Sequence, residues 1–241
     1  MESIAGKVAF ITGGTKGIGY GIAGSFLNEG ISVCLTGRKK ETVDSAVKRL
    51  SSRAKKDAKV IGVEADVRKY ADQKSAISKA ITTFGKVDIL VANAGVGHFA
   101  TIDKLTIEQW SECIDTNLTG VFYTLKAGLD QLLKNKGYFF SIASLAGTNF
   151  FKGGSAYNAS KFGVTGFTQA AMLDLREKGI KTSVIMPGSV ATHFNGNTPD
   201  EKDRWKIQKE DLGQLLVDLL KMDTRTLPSK VEVRPSFPPH K

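Results

Sequence analysis

The chain has 241 residues, 41% of them hydrophobic, and its 34 Lys and Arg against 24 Asp and Glu give a formal charge of +10. That length and apolar content suit one large α/β domain with a sizeable core. No 18-residue uncharged run and no basic start followed by an apolar stretch occurs, so a cytoplasmic protein without membrane contact is expected.

An apolar strand at 8–11 opens the chain, followed at once by Thr12-Gly13-Gly14-Thr15-Lys16-Gly17-Ile18-Gly19 and a helix over 17–28 that puts Ile18, Ile22 and Phe26 on one face. Glycines allow a tight turn and close approach of a pyrophosphate, while the helix N-terminus offers free N–H groups and a positive dipole end. A strand-turn-helix unit of this kind is expected to hold a dinucleotide. The second strand, 32–35, leads to Thr36-Gly37-Arg38, where NAD-binding folds place an acid on the ribose 2′-hydroxyl. Gly37 stands where the acid would be, and Arg38 with Lys16 would offer two cations to a 2′-phosphate, so NADP(H) is favoured as cofactor. Nine basic residues against three acidic ones crowd 38–59, and the helix there, 42–53, reads as a solvated face beyond Arg38.

A third strand at 59–63 precedes Asp66-Val67 and a helix at 72–84, and a fourth at 88–91 precedes Asn93-Ala94-Gly95. Asn117 lies ahead of a helix at 121–133, and the fifth strand, 138–142, carries Ser141 with Ser144 just beyond. Tyr157 and Lys161, four apart and so on one face, begin a long helix at 156–178. The sixth strand, 181–185, runs into Pro187-Gly188 with Val190 and Thr192 downstream. A polar stretch at 189–209 reads as a lid, and a helix at 210–220 and a strand at 230–233 follow. The tail at 228–241 holds four of the six prolines and suits an extended arm. Repeated strand-helix alternation implies a doubly wound, Rossmann-like α/β fold with a mostly parallel sheet covered on both faces, one domain over 1–241. Cys34 and Cys113 read as reduced core thiols. His98, His193 and His240 lack ligand spacing, so no metal is expected.

A tyrosine with its ordinary pKa near 10 is a reluctant acid at neutral pH, and a neighbouring ammonium, here Lys161, is expected to stabilise the phenolate and lower that value. The spacing TGxxxGIG, the Asn93-Ala94-Gly95 motif, Asn117, Ser144, Tyr157 and Lys161 in that order, and Pro187-Gly188 together resemble the short-chain dehydrogenase/reductase family over essentially 7–192. The resemblance implies an oxidoreductase moving a hydride between nicotinamide and a carbonyl or hydroxyl carbon. Tyr157 would be the proton donor, Ser144 would hydrogen-bond the substrate oxygen, Lys161 would also hold the nicotinamide ribose, and Asn117 would fix a water that reprotonates Tyr157. It implies cofactor contacts at Gly13, Thr15, Lys16, Gly17, Ile18, Gly19, Arg38, Asp66 and Val67, and at Asn93, Ala94, Gly95, Pro187, Gly188, Val190 and Thr192. Ser141, sixteen rather than thirteen residues before Tyr157, is the rival for the serine role.

Substrate choice is expected to lie in 96–99, 145–151 and 190–205, where His98, Phe150, Phe151, His193 and Phe194 suggest an aromatic, mostly uncharged pocket. A 3-oxoacyl-carrier-protein reductase is one class the resemblance admits, since a basic surface suits an acidic carrier; small ketones, sugars, pterins and steroids are others. The family's glycine-rich C-terminal strand is replaced here by Val231-Glu232-Val233-Arg234-Pro235, yet helices at 117–134 and 156–178 could pair across a two-fold axis, so a homodimer or homotetramer is implied. The alternative is a dinucleotide-sensing regulator without turnover, which would have no need of Asn117, Ser144, Tyr157 and Lys161 together. No nucleic-acid recognition motif accompanies the positive charge.

Overall fold

Seven short runs rich in Val, Ile and Phe pair side by side, all parallel, in the order β3-β2-β1-β4-β5-β6-β7. They are β1 (Val8–Ile11), β2 (Ser32–Gly37), β3 (Val60–Glu64), β4 (Ile89–Ala92), β5 (Tyr138–Ile142), β6 (Lys181–Pro187) and β7 (Lys230–Val233). The structure, a computed structural model, describes residues 3–55 and 57–237. Lys56, His240 and the last two prolines of the tail lie outside the described residues.

Successive side chains of a strand point to opposite faces, so the sheet feeds two cores. Ala9, Ile11, Val33, Leu35 and Val91 join α1 (Gly17–Asn28), α2 (Lys40–Ser51) and α7 (Lys209–Lys221) on one side. Val8, Phe10, Cys34, Leu90 and Phe139 join α3 (Tyr70–Phe84), α5 (Gly120–Asn135) and α6 (Ser155–Arg176) on the other. Phe10, Phe26, Phe139 and Phe140 are fully buried, and burial of such a side chain stabilises by about 1.5–3 kcal/mol. The doubly wound parallel architecture is as expected, with element ends within a few residues of those read from periodicity.

One helix was not expected. Ahead of α5 lies α4 (Ile107–Ile114), started by a reciprocal capping box in which Gln109 N–H donates to Thr106 Oγ1 and the Thr106 N–H donates to Gln109 Oε1. A five-residue π-turn, Asp115–Thr119, joins it to α5. The expected lid is a loop whose two ends meet: Val190 bridges Ile207, Ala191 N–H donates to Ile207 O at 2.9 Å, and Ile207 N–H donates to Ser189 O at 3.1 Å. Between those ends lie two single 3-10 turns, Phe194–Gly196 and Glu201–Asp203. Cys34 and Cys113 are buried free thiols. Among the described residues no helix is long and apolar enough to cross a membrane.

Strand order reverses between β1 and β4, because the chain leaves β1 first towards β2 and β3 and then returns to the other side. A crevice opens beyond the carboxyl ends of the strands at such a switch point.

Candidate active site

That crevice is a cleft of about 490 Å³ whose lining comes from the segments following β1 to β6. Gly13, Thr15, Lys16, Gly17 and Ile18 form its floor after β1. Gly13 has φ +65°, and a Cβ there would stand 2.9 Å from Ala94 Cα, so both conformation and space demand glycine. Gly19 departs from expectation. It does not line the cleft; a Cβ on it would come within 2.5 Å of Asn93 Nδ2, which makes it a packing glycine under the loop after β4. That loop is fastened to the glycine turn: Asn93 Nδ2 donates to Thr12 O at 2.9 Å, and the Asn93 and Ala94 N–H groups donate to Thr12 Oγ1 at 3.0 and 3.2 Å. Asn93, Ala94 and Gly95 all line the cleft.

Arg38, Asp66 and Val67 line the end of the cleft beyond β2 and β3. Arg38 reaches Glu112 of α4 at 3.5 Å, and the other carboxylate oxygen of Glu112 lies 2.8 Å from His98 Nε2. Hydrogen bonding from His98, with the Arg38 charge nearby, holds the Glu112 carboxyl below its ordinary pKa. Lys16 is exposed and has no anionic partner among the described residues. Asp66 is gripped by Arg68, whose Nη2 lies 2.6 Å from its Oδ2, and that hydrogen bond lowers the Asp66 pKa. Arg49 is a second departure, because it does not simply face solvent from α2. Its Nη2 donates to Thr15 O at 3.4 Å and its guanidinium lies 5.0 Å from the centre of the Tyr20 ring, adding a third cation beside the glycine turn. Two buried hydroxyls on lining residues, Thr36 Oγ1 and Thr116 Oγ1, have no hydrogen-bond partner among the described residues. The unpaired Lys16, an open helix N-terminus and orphaned hydroxyls together fit a phosphorylated dinucleotide.

Ser144, Tyr157 and Lys161 line the same cleft from β5 and α6. Ser144 Oγ accepts from Ala146 N–H at 3.1 Å and donates to Pro187 O at 3.5 Å, close enough to the Tyr157 hydroxyl to act on its pKa. Lys161 is buried and its Nζ donates to Ile142 O at 2.9 Å, 5.7 Å from the centre of the Tyr157 ring. The expected lowering of the tyrosine pKa is therefore not what this geometry produces. Burial pushes the Tyr157 phenol up to about 12, against a smaller downward pull from the Ser144 hydroxyl, and burial pushes Lys161 down to about 8. The ammonium is turned to a carbonyl rather than to the phenol oxygen.

Asn117 sits in the π-turn, buried and outside the cleft lining. Its carboxamide donates to Val96 O and Ser160 Oγ, both at 2.9 Å, and accepts from Val96 N–H at 2.8 Å, so it braces the loop after β4. Ser141 is buried and hydrogen-bonded to Thr168 at 2.7 Å, away from the cleft, which removes it as a rival to Ser144. Tyr70 and Lys74 on α3 share the Tyr-Lys spacing, but Tyr70 packs on Tyr123 at 5.5 Å and does not reach the cleft. Pro187, Gly188, Val190 and Thr192 line it after β6, and Gly188 N–H is tied to Val233 O at 2.8 Å. Of the expected substrate residues, Phe99, His193 and Phe194 line the cleft, whereas His98 turns to Glu112, Phe151 packs on Phe99 outside the lining and Phe150 stands in solvent. Asn197 and Lys206, not singled out in the sequence, line it from the lid.

The model of the family described as short chain dehydrogenase matches residues 7–203. An uncharacterized oxidoreductase of Staphylococcus saprophyticus is 33% identical over 236 residues, covering 98% of this chain and 100% of its own. An alcohol dehydrogenase from the archaeon Thermococcus sibiricus, solved with 5-hydroxy-NADP, superposes with a TM-score of 0.89 at 27% identity over 98% of this chain and 99% of that one. A short chain dehydrogenase from Burkholderia cenocepacia, solved with NADP, does so with a TM-score of 0.87 at 26% identity, over 97% and 98%.

Proposed function

The chain belongs to the short-chain dehydrogenase family and is an oxidoreductase, and within that family we propose that it uses NADP(H) to interconvert a carbonyl and a hydroxyl group, with Tyr157 as the general acid and base. One observation carries this reading: Ser144, Tyr157 and Lys161 meet in the cleft whose far end carries the glycine turn and Arg38. Solved relatives that hold NADP or its derivative support the choice of cofactor.

The glycine turn and the N-terminus of α1 would receive the pyrophosphate, Lys16 and Arg38 the 2′-phosphate, and Lys161 the nicotinamide ribose. When bound, the cofactor would supply the hydride for the carbonyl carbon. Tyr157 stays protonated through the neutral range and is poised to give its proton to the carbonyl oxygen, while the Ser144 hydroxyl donates to the same oxygen as charge grows on it. Asn117 keeps one lone pair of Oδ1 for the water implied to reprotonate Tyr157. The substrate is a small molecule, and carrier-linked 3-oxoacyl esters belong among the compounds to try. Phe122 and Leu133 on α5, with Phe162 and Leu173 on α6, are exposed and support assembly as a homodimer or homotetramer through those helices. We place the protein in the cytoplasm.

Titration followed by nicotinamide fluorescence tests the reading: NADPH should bind at least about tenfold more tightly than NADH, the worth of one charge-assisted contact, and NADPH should be oxidised by a carbonyl compound. Binding of neither cofactor would overturn it.

A pH profile follows from Lys161. Its ammonium is charged below about 8 and neutral above, and only the charged form gives the nicotinamide ribose a charge-assisted hydrogen bond. Reduction rates should fall as pH rises through about 8; a profile flat to pH 10 would remove Lys161 from that role.

A further inference from the structure

Large apolar side chains normally go to the core, and those left partly in water around a cleft point to what the cleft receives. Two phenylalanines from separate segments, Phe99 after β4 and Phe194 on the lid, flank Tyr157 in the cleft, and a third, Phe151 after β5, backs Phe99 from outside the lining. Phe99 lies 5.5 Å from the Tyr157 ring, 5.7 Å from Phe151 and 6.4 Å from Phe194, and Phe194 lies 5.8 Å from Tyr157. None of the three belongs to either core, and Phe99 and Phe151 remain 45% and 47% exposed.

The cluster is built rather than incidental. Gly97 leaves room for it, since a Cβ there would come within 2.7 Å of the Phe194 ring and 3.0 Å of Phe99. Ala100 N–H donates to Gly153 O at 2.9 Å, tying the Phe99 loop to the Phe151 loop. Buried Asn158 pins the latter, donating to Ala146 O and Asn149 O at 2.7 Å each. All four ring contacts are edge-on or tilted, at 53° to 75°, so no ring is capped by a parallel neighbour. Asp66 is the one acid in the cleft lining, and it belongs to the opposite end with Arg68. On the lid, Lys206 is neutralised by Asp203 at 2.6 Å.

We infer that the substrate is an uncharged carbonyl compound carrying an aromatic ring, held by Phe99 and Phe194, with Phe151 bracing Phe99, and with its carbonyl oxygen at Tyr157 and Ser144. This rests on the oxidoreductase reading above. Hydride from the reduced nicotinamide and the proton of Tyr157 together convert C=O to CH–OH, leaving the oxidised cofactor. A ring bound among rings gains edge-to-face attraction that an aliphatic group of the same size lacks.

The test compares 4-phenylbutan-2-one with 4-cyclohexylbutan-2-one, whose carbonyls are equally remote from the ring, and with the anion 4-oxopentanoate, under NADPH. The phenyl ketone should be preferred over the cyclohexyl ketone by about tenfold in kcat/KM, with 4-oxopentanoate the poorest of the three. Phe99→Leu should bring the phenyl to cyclohexyl ratio close to one, and Phe151→Leu should lower it in the same direction. Equal use of both ketones by the unaltered protein, or an unchanged ratio in both variants, would overturn the inference and leave the oxidoreductase reading intact. Cofactor binding with no turnover of any of the three, or of carrier-linked 3-oxoacyl esters, would overturn both.

Discussion

Replacing Tyr157 by Phe is expected to lower kcat for carbonyl reduction by about 10³-fold, the usual worth of a positioned general acid, while NADPH binds within about threefold of its original affinity. The substitution removes one oxygen. The ring, which packs edge-on against Phe99 and tilted against Phe194, keeps its place, so loss of rate cannot be blamed on a collapsed site. Ser144→Ala should cost less, about 10²-fold, because it removes a hydrogen bond to the developing oxyanion but leaves the proton source. Single-turnover oxidation of bound NADPH reads the chemical step directly. Turnover retained in Tyr157→Phe would mean that the proton reaches the carbonyl oxygen from elsewhere and would remove the mechanism, although not the family.

Arg38→Asp should move the NADPH to NADH affinity ratio by about 10²-fold towards NADH. A charge-assisted contact contributes roughly 1.5–3 kcal/mol, and a carboxylate in its place repels the phosphate and can accept from a ribose hydroxyl. Glu112 sharpens this test. Its carboxylate sits 3.5 Å from Arg38 and would compete with a 2′-phosphate for the guanidinium, so Glu112→Gln should tighten NADPH binding a few-fold at low salt and less at high salt, leaving NADH unmoved. Paired titrations of both variants against both cofactors settle the matter. An unchanged ratio in Arg38→Asp would transfer selection to Lys16 and Arg49, the other two cations at the glycine turn.

The layered fold was legible because strand and helix periods are local properties of the chain. Apolar runs such as 8–11 and 88–91 alternate with helices carrying one apolar stripe, and parity along the strands then sorts Ile11 from Phe10 into separate cores. Helix α4 escaped because it is short and Cys113 is its one fully buried residue, although Thr106-Ile107-Glu108-Gln109 is a capping-box signature that could have revealed it. The site was legible as motifs and illegible as contacts. Order and spacing brought out Ser144, Tyr157 and Lys161, but no local pattern could show Arg49 meeting Thr15, Glu112 meeting Arg38, or the Lys161 ammonium turned to Ile142 O. Gly19 shows the converse limit: a motif position tells that a side chain must be absent, and only packing tells whether a ligand or Asn93 requires it. Arg68, two residues after Asp66, was the one missed partner within reach of sequence reading.

The loop over the cleft leaves the body and rejoins it at one place, where Ser189 and Ala191 are hydrogen-bonded to Ile207. A chain segment whose ends are already joined can be lengthened at small entropic cost, since each doubling adds only about 0.6 kcal/mol, and its contents can be exchanged without pulling on β6 or α7. Under the proposed function, substrate preference would thereby be separable from catalysis in heredity as well as in space. Under that function, insertions or replacement between 193 and 205 would change the lid's share of what is accepted while Ser144, Tyr157 and Lys161 stay in register, and grafting that loop between relatives becomes a route to new specificities on this frame.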